Sequence, residues 1–380
     1  MHYFFTKYGS FLRRCRKDLP VPRVSPGKPV GRESMKLLSI LLFVGFAAFF
    51  QSGCAKYYSG PVTEHFDGRK FFNPGKPMDK NFVDFLKWRL NADRQFWPEY
   101  SELPAYDQPP ERVAGDRLRV SLVGHATVLI QTQGVNILTD PVWSPRASPF
   151  RWFGPKRVHP PGIAFENLPP IDVVLLSHNH YDHLDLDTIA RLWTGHRPRI
   201  IMPLGNDAII AGHDSAIATE SYDWGERVPI TSEVEVHLEP MHHWSARGVF
   251  DRNRALWAAF TITAPGGNIY FVGDSGYGNG DYFRAARQKF QNFRLAILPI
   301  GDYDPRWFMA YGHMNPEESL LAFEDLGRPM VLPIHYKTFP LADTGYDQPL
   351  AALRQAMVNY RDAAGRIVPL SAGESWDVPR

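Results

Sequence analysis

One short segment constrains the fold more than any other part of the sequence. Residues 178–183 read His-Asn-His-Tyr-Asp-His and follow, one residue later, residues 172–176, a mostly apolar run that predicts a buried strand. Because a loop does not commit its side chains to one face, three imidazoles and a carboxylate in this segment can converge on one point. The segment therefore predicts a metal site at the carboxyl end of a strand.

Further donors follow later predicted strands, each at the carboxyl end. A lone histidine is more often structural than a ligand, but donors after several separate strands all point to one edge of the sheet. The pairs of predicted strand and donor are 233–238 with His242 and His243, 268–272 with Asp274, and 330–334 with His335.

The donor types indicate which metal the site takes. The chain has only two cysteines, Cys15 and Cys54, which excludes a thiolate cluster and a disulfide scaffold. Imidazole and carboxylate ligands favour Zn2+, with Mn2+ or Fe2+ as alternatives. His178 and His180 suit one ion and Asp182 and His183 a second, so two ions are expected, each completed by later donors.

Composition and charge restrict the class of protein. At 380 residues, with 44% hydrophobic and 22% charged residues, the chain can bury a large core and is not disordered. Residues 1–36 hold nine Lys/Arg and two acidic residues, so a whole-chain charge of +2 leaves −5 on the rest. A mildly acidic body gives no support to nucleic-acid binding, and no nucleic-acid partner is expected.

From about residue 117 the sequence alternates short strands with helices. The first three strands form an antiparallel opening, and later strands are separated by helices, which predicts a layered α/β domain with functional loops at strand ends. The predicted strands are 118–123, 128–132, 135–139, 172–176, 199–202, 233–238, 256–263, 268–272, 295–299 and 330–334. The predicted helices are 81–96, 185–193, 281–290, 316–326 and 348–360.

The first 54 residues predict targeting rather than a folded domain. Residues 37–50 are apolar except for Ser39 and Gly45, too short for a comfortable membrane span but suited to a signal-peptide core. Gly53-Cys54 after this core resembles a bacterial lipoprotein cleavage site, and an uncleaved signal anchor is the alternative. The predicted organisation is an extension with signal segment (1–54), a lead-in linker with a helix (55–110) and a hydrolase domain (111–380).

Several longer motifs resemble one protein family. They are residues 124–127, 138–141, 146–149, 154–157, 168–172, 177–185, 273–277, 305–309 and 334–336. Together they are similar to the N-acylphosphatidylethanolamine-hydrolysing phospholipase D family within the metallo-β-lactamase fold superfamily, over about residues 110–345. The resemblance implies an αββα sandwich, with two mixed sheets between outer helices.

The resemblance also implies a role for each donor. Family members hold two zinc ions, with Asp274 bridging them. His243 is preferred to His242 because the family's ligand directly precedes a tryptophan, here Trp244. Implied ligands are His178, His180 and His243 for the first ion and Asp182, His183 and His335 for the second. Tyr181 and His313 are implied at the lipid phosphate.

Two divalent ions lower the pKa of a bridging water, so that hydroxide is available near neutral pH to attack phosphorus. Asp182 and Asp274 can orient this nucleophile. The expected activity is hydrolysis of an N-acylated phosphatidylethanolamine-like membrane lipid by an enzyme anchored at Cys54 in the bacterial cell envelope, facing the periplasm. The alternatives are a lactone, thioester, β-lactam or soluble phosphodiester substrate, and a non-catalytic envelope lipoprotein stabilised by zinc. The oligomeric state is open, with a homodimer as one expectation.

Three other features leave alternatives open. His125 is expected to be structural or to hydrogen-bond a ligand, and Asp140 either orients a ligand histidine or forms a turn. The aromatic stripe of Trp143, Phe150, Trp152 and Phe153 is either core or a membrane-facing lip, with the lip slightly favoured.

Overall fold

Two mixed β-sheets lie face to face in the computed structural model, which describes residues 57–75, 80–248 and 250–380. The first sheet has seven strands in the order β13-β1-β2-β3-β4-β5-β6, and the second has six in the order β12-β11-β10-β9-β8-β7. The strands are β1 Leu118–Gly124, β2 Thr127–Thr132, β3 Val135–Thr139, β4 Val173–Leu175, β5 Arg199–Pro203, β6 Glu220–Tyr222, β7 Arg227–Pro229, β8 Glu235–Glu239, β9 Ala259–Thr263, β10 Asn268–Phe271, β11 Phe293–Pro299, β12 Met330–Ile334 and β13 Ser375–Asp377.

Helices lie outside the two sheets. They are α1 Phe82–Leu90, α2 Leu186–His196, α3 Asn206–His213, α4 Asp281–Phe290, α5 Arg306–Met309, α6 Pro316–Asp325 and α7 Gln348–Met357. Local sequence explains their starts: the Asp185 carboxylate accepts from Thr188 N at the start of α2, and Asn315 and Glu318 form a capping box before α6. The predicted α/β sandwich with outer helices is confirmed.

Burial of apolar side chains holds the layers together. Residues of both sheets, including Val128, Phe260 and Leu332, are fully buried in the core between them. Ile189 of α2 packs in a second core on the outer face of the first sheet. Phe323 of α6 packs in a third core on the outer face of the second sheet.

The topology brings four strand ends to one edge of the sandwich. β3, β4 and β5 are parallel, as are β10, β11 and β12. β8 runs antiparallel to β9, which runs antiparallel to β10, so β8 and β10 point the same way. The loops after β4, β8, β10 and β12 therefore leave the sheets at the same edge, as the sequence predicts.

The segment before β1 also contributes to the core. Phe66 and Phe71 are each 1% exposed and belong to the core on the outer face of the second sheet. Tyr57 donates from its hydroxyl to Asp251 Oδ2 at 2.9 Å. The described residues all lie in one compact unit.

The predicted signal core, residues 37–50, and Cys54 lie outside the described residues. Within the part of the chain that the structure describes, no helix is both long enough and apolar enough to cross a membrane.

Some predicted elements differ from the structure. Strands 135–139 and 330–334 and helix 281–290 match, whereas α3, α5, β6, β7 and β13 were not predicted. The helix predicted over 81–96 ends at Leu90. The residues of its expected last turn instead form backbone hydrogen bonds with a segment near the end of the chain: Gln95 N donates to Asp343 O at 3.0 Å, and Phe96 O accepts from Tyr346 N at 3.0 Å. These tertiary hydrogen bonds outweigh the local helical pattern.

Candidate metal centre

Three imidazoles, here called the imidazole cluster (His178, His180 and His243), aim their nitrogens at one another. His180 Nδ1 lies 2.8 Å from His178 Nε2 and 3.2 Å from His243 Nε2. His178 and His243 are fully buried. The loop after β4 supplies two of these rings, and the loop after β8 supplies the third.

Hydrogen bonds on the far side of two rings fix which nitrogen carries the proton. His243 Nδ1 faces the Gly312 carbonyl at 3.0 Å and must donate to it, because a carbonyl only accepts. Ser177 Oγ donates to Asp140 Oδ2, so it can accept from His178 Nδ1 at 2.9 Å. In their neutral forms, both rings therefore present the Nε2 lone pair to the centre of the cluster.

A second group, here called the mixed cluster (Asp182, His183 and His335), lies beside the first. His183 Nε2 and His335 Nε2 are 3.3 Å apart, and each lies 3.3 Å from Asp182 Oδ2. His125 Nε2 also contacts Asp182 Oδ2 at 2.9 Å. The expectation that His125 is structural or hydrogen-bonds a ligand agrees with this contact.

Asp274, in the loop after β10, lies between the two clusters. Its Oδ1 is 3.0 Å from His335 Nε2 and its Oδ2 is 3.2 Å from His183 Nε2. The same Oδ2 is 4.0 Å from His243 Nε2 in the imidazole cluster. One carboxylate, 1% exposed, thus faces donors of both clusters.

Carboxylates support the rings of the mixed cluster from behind. Asp140 Oδ2 lies 2.6 Å from His183 Nδ1 and also accepts from the Ser177 hydroxyl, so of the two sequence alternatives for Asp140 the structure shows the orienting one. Asp302 Oδ2 lies 3.2 Å from His335 Nδ1. A carboxylate on the remote imidazole nitrogen fixes the tautomer and increases the basicity of a ligating ring.

The electrostatics of the two clusters differ. Burial, together with the neighbouring histidines, holds the pKa of His178 and His243 well below the usual value. Burial acts the same way on His183 and His335, but the carboxylates around them outweigh it and raise the pKa of both rings well above the usual value. The pKa of Asp182 and Asp274 stays well below the usual value despite burial, because histidines surround both carboxylates.

These donors fit divalent metal ions. In the imidazole cluster, two buried lone pairs face His180 Nδ1, which can donate to only one of them, and His180 Nε2 is buried without a hydrogen-bond partner among the described residues. Donor atoms of each cluster lie within 4.8 Å of one another, close enough to share an ion. An N- and O-donor set without thiolate suits zinc, manganese or iron.

The structure separates His242 from His243. The His242 ring packs against Tyr282, with the ring centres 4.4 Å apart and the planes tilted by 32°, whereas His243 joins the imidazole cluster. The preference for His243 as a ligand is consistent with this placement.

The two residues implied at the substrate lie in different surroundings. His313 Nδ1 is 3.8 Å from Asp274 Oδ2, and its side chain is 15% exposed at the rim of the centre. The Tyr181 hydroxyl instead donates to the Arg247 carbonyl at 2.9 Å, and the Arg247 guanidinium lies 4.0 Å over the Tyr181 ring. The structure thus brings His313 to the donors and directs the Tyr181 hydroxyl to Arg247.

Sequence reasoning missed two supporting residues. Asp302 follows β11 just as the ligating donors follow their strands, so the strand-end pattern could have identified it. Arg247 has no motif: it donates to the carbonyls of Asn179 and Leu184 at 3.0 and 2.8 Å and so holds both ends of the metal-binding loop.

The aromatic stripe divides between core and surface. Trp143 is 8% exposed, packs in the outer core of the first sheet and donates from Nε1 to the Ile163 carbonyl at 3.0 Å, so the lip expectation is wrong for this residue. Trp152 and Phe153 are 71% and 48% exposed.

Comparisons with known proteins agree with this site. Residues 135–336 match the model of the Beta-lactamase superfamily domain. The N-acyl-phosphatidylethanolamine-hydrolyzing phospholipase D 1 of Caenorhabditis elegans is 35% identical, covering 67% of this chain and 74% of that protein. An uncharacterized protein of Mycobacterium tuberculosis is also 35% identical, covering 73% of this chain and 74% of its own.

A solved structure shares the fold. A metallo hydrolase of Ignicoccus hospitalis superposes with a TM-score of 0.51 at 19% identity, covering 68% of this chain and 97% of its own. Fold and donor set define a metal-dependent hydrolase. The chain belongs to the metallo-β-lactamase superfamily, with the N-acylphosphatidylethanolamine-hydrolysing phospholipases D among its relatives.

Proposed function

We propose that this hydrolase is a phosphodiesterase of phospholipase D type that acts on N-acylphosphatidylethanolamine-like membrane lipids. Two observations support the substrate class: the sequence motifs, and the 35% identity to a C. elegans protein that carries this activity in its name. The single observation that carries the mechanism is the Asp274 carboxylate lying between two sets of donors.

The proposed ligand sets follow the two clusters. His178, His180 and His243 would hold one divalent ion, Asp182, His183 and His335 a second, and Asp274 both, with zinc as the proposed metal. Two such ions supply Lewis acidity at a phosphoryl oxygen and lower the pKa of water.

The chain's own groups supply the remaining chemistry. Asp182 and Asp274 are ionised, so each can accept a hydrogen bond from the attacking water and orient it towards phosphorus. His313, beside Asp274 and partly exposed, can donate a hydrogen bond to the phosphoryl group of the substrate. Cleavage of the bond between phosphorus and the ethanolamine oxygen yields phosphatidic acid and an N-acylethanolamine.

The substrate is tested by mass spectrometry of products. Full-length protein in detergent, with its metal content measured, is mixed with vesicles of N-acylphosphatidylethanolamine, and Asp274→Asn is the matched variant. Release of N-acylethanolamine by the parent, falling by about 10²- to 10³-fold in the variant, is the expected outcome. A parent with full metal content that releases nothing would rule out this substrate class and direct the search to soluble phosphodiesters and lactones.

We also propose that Cys54 carries a lipid anchor in the bacterial envelope, where the enzyme faces the periplasm and meets its bilayer substrate. An anchor raises the effective concentration of a membrane substrate without adding a contact. Mass spectrometry of the mature amino terminus tests this, with Cys54→Ser as the control. Diacylated Cys54 at the terminus supports the anchor, and an unprocessed Leu-rich segment in the membrane fraction supports the uncleaved alternative.

A further inference from the structure

A cleft lined by arginines lies at the edge of the second sheet that is opposite to the metal centre. The cleft has a volume of about 770 Å³ and lies where β11 and β12 begin, at Phe293 and Met330. The metal donors follow the other ends of β10 and β12. β11 spans seven residues, so the cleft lies about 20 Å from the metal centre.

The lining of the cleft is strongly positive. Its charged side chains are one aspartate, Asp116, and five arginines: Arg287, Arg294, Arg328, Arg366 and Arg380. Counting side chains alone, they sum to +4. A concave surface of one sign focuses its field and raises the local concentration of counter-ions.

Two of the five arginines are neutralised by carboxylates. Arg328 pairs with Glu324 and Asp362, and Arg380 pairs with Asp116. These two guanidiniums already have acidic partners and leave the positive charge of the cleft to the other three.

The remaining three have no carboxylate partner among the described residues. The Arg366 guanidinium donates only to the Arg328 carbonyl, at 3.2 Å, among the described residues. Arg287 is exposed, and its guanidinium has no hydrogen-bond or ion-pair partner in the described part of the chain. The Arg287 side chain extends across Gly327: a Cβ atom added at position 327 would lie only 3.0 Å from Arg287 Nε.

Arg294 forms the floor of the cleft. It is 9% exposed, and its guanidinium donates only to carbonyls among the described residues: those of Asp116, Val378, Pro379 and Gly266 at 2.6, 2.5, 3.0 and 3.4 Å. A buried cation without a counter-charge is costly, and an anion in the cleft would offset that cost. The carbonyls hold this charge in place while Arg287 and Arg366 remain available at the rim.

We propose that this cleft binds a phosphate-bearing anion with at least two negative charges. Guanidinium groups donate paired, charge-assisted hydrogen bonds that match phosphate oxygens, and several of them converge here. The volume accommodates a pyrophosphate group or the phosphomonoester headgroup of a lipid. The site is separate from the metal centre and does not depend on the proposed function.

Inorganic pyrophosphate is the first probe, titrated calorimetrically into the full-length, metal-loaded protein. Asp274→Asn removes the shared carboxylate of the metal centre, and its metal content is measured, so that pyrophosphate binding which persists without bound metal belongs elsewhere. The double variant Arg287→Gln/Arg366→Gln should weaken that binding at least tenfold, and raised salt should weaken it in the parent. Arg354→Gln, an exposed arginine of α7 outside the cleft, should leave it unchanged.

A second measurement uses the unmodified protein. Phenylglyoxal modifies free guanidiniums, and peptide mass spectrometry reports its rate at Arg287 and Arg366 relative to Arg354. Protection by pyrophosphate indicates a soluble phosphate ligand. Protection only by phosphatidylcholine vesicles that contain phosphatidic acid, and not by phosphatidylcholine alone, indicates a lipid headgroup. If neither probe protects the two arginines, or the double variant binds as well as the parent, the proposal is wrong.

Discussion

The imidazole cluster and the mixed cluster share Asp274, yet their surroundings carry different charge. Neutral groups, the Ser177 hydroxyl and the Gly312 carbonyl, support the first. Carboxylates of Asp140 and Asp302 support the second. The donors of both clusters lie in loops that follow strands. The imidazole cluster nevertheless has neutral surroundings and the mixed cluster has a strongly negative potential, because the residues that support the donors differ in charge.

Removing one donor from each cluster has the largest expected effect. His180→Ala and His335→Ala should each lower the bound metal from about two ions towards one and reduce turnover of the proposed substrate by at least about 10²-fold. Elemental analysis of the purified variants and initial rates measure both effects. Retention of the parent's metal content by both variants would contradict the two-cluster assignment.

Removing the support behind the donors should have a smaller effect that differs between clusters. Asp140→Asn keeps the shape but removes the charge behind His183, and metal affinity should fall about 10- to 100-fold. Ser177→Ala, which removes the hydroxyl behind His178, should lower metal affinity less, because the lost group is neutral. Competition with a chelator measures the metal affinity of both variants. A loss of affinity in Ser177→Ala that equals or exceeds the loss in Asp140→Asn would contradict the proposed difference between the clusters.

Acid should destabilise the region around the mixed cluster. His159 donates from Nδ1 to the Pro160 carbonyl, and its Nε2 faces Thr338, which in turn accepts from the backbone of His125. Burial lowers the pKa of His159 to about 4. The folded state therefore binds fewer protons than the unfolded state, and its stability falls as the pH drops below about 6.5.

Between pH 7 and pH 5, this one group should cost the folded protein about 2 kcal/mol. His159→Gln has no titrating ring, so the pH dependence of its unfolding free energy should be smaller by that amount. Urea denaturation of parent and variant at both pH values measures the difference. Identical pH dependence in the two proteins would show that His159 is not the group responsible.

Much of the centre could be predicted because its donors follow a simple rule. Residues 178–183, Asp274 and His335 each follow an apolar run, and parallel strand ends meet at one edge. Support residues follow no such rule. Arg247 reaches the metal-binding loop from a distant loop, and only the folded chain shows that its guanidinium meets two carbonyls there.

Elements of the fold that depend on tertiary contacts could not be predicted from the sequence either. Strong apolar runs gave β3 and β12 with their correct bounds, whereas β13 is three residues long, is not buried, and depends on pairing with β1. Trp143 and Trp152 are similar in sequence context, yet only Trp143 reaches the core. Burial of an aromatic in a proline-rich loop depends on tertiary packing that local sequence does not encode.

The hydrogen bond between Tyr57 and Asp251 sets the length of any tether upstream. Only two residues, Ala55 and Lys56, separate Cys54 from Tyr57, and the three Cα-to-Cα steps between them span about 10 Å when fully extended. Asp251 accepts in turn from the backbone of Arg247, in the loop that holds the metal-binding segment. An acyl chain on Cys54 would therefore be joined to Tyr57 by a very short stretch of chain, and it would keep the loop that contains Arg247 and Asp251 close to the bilayer surface.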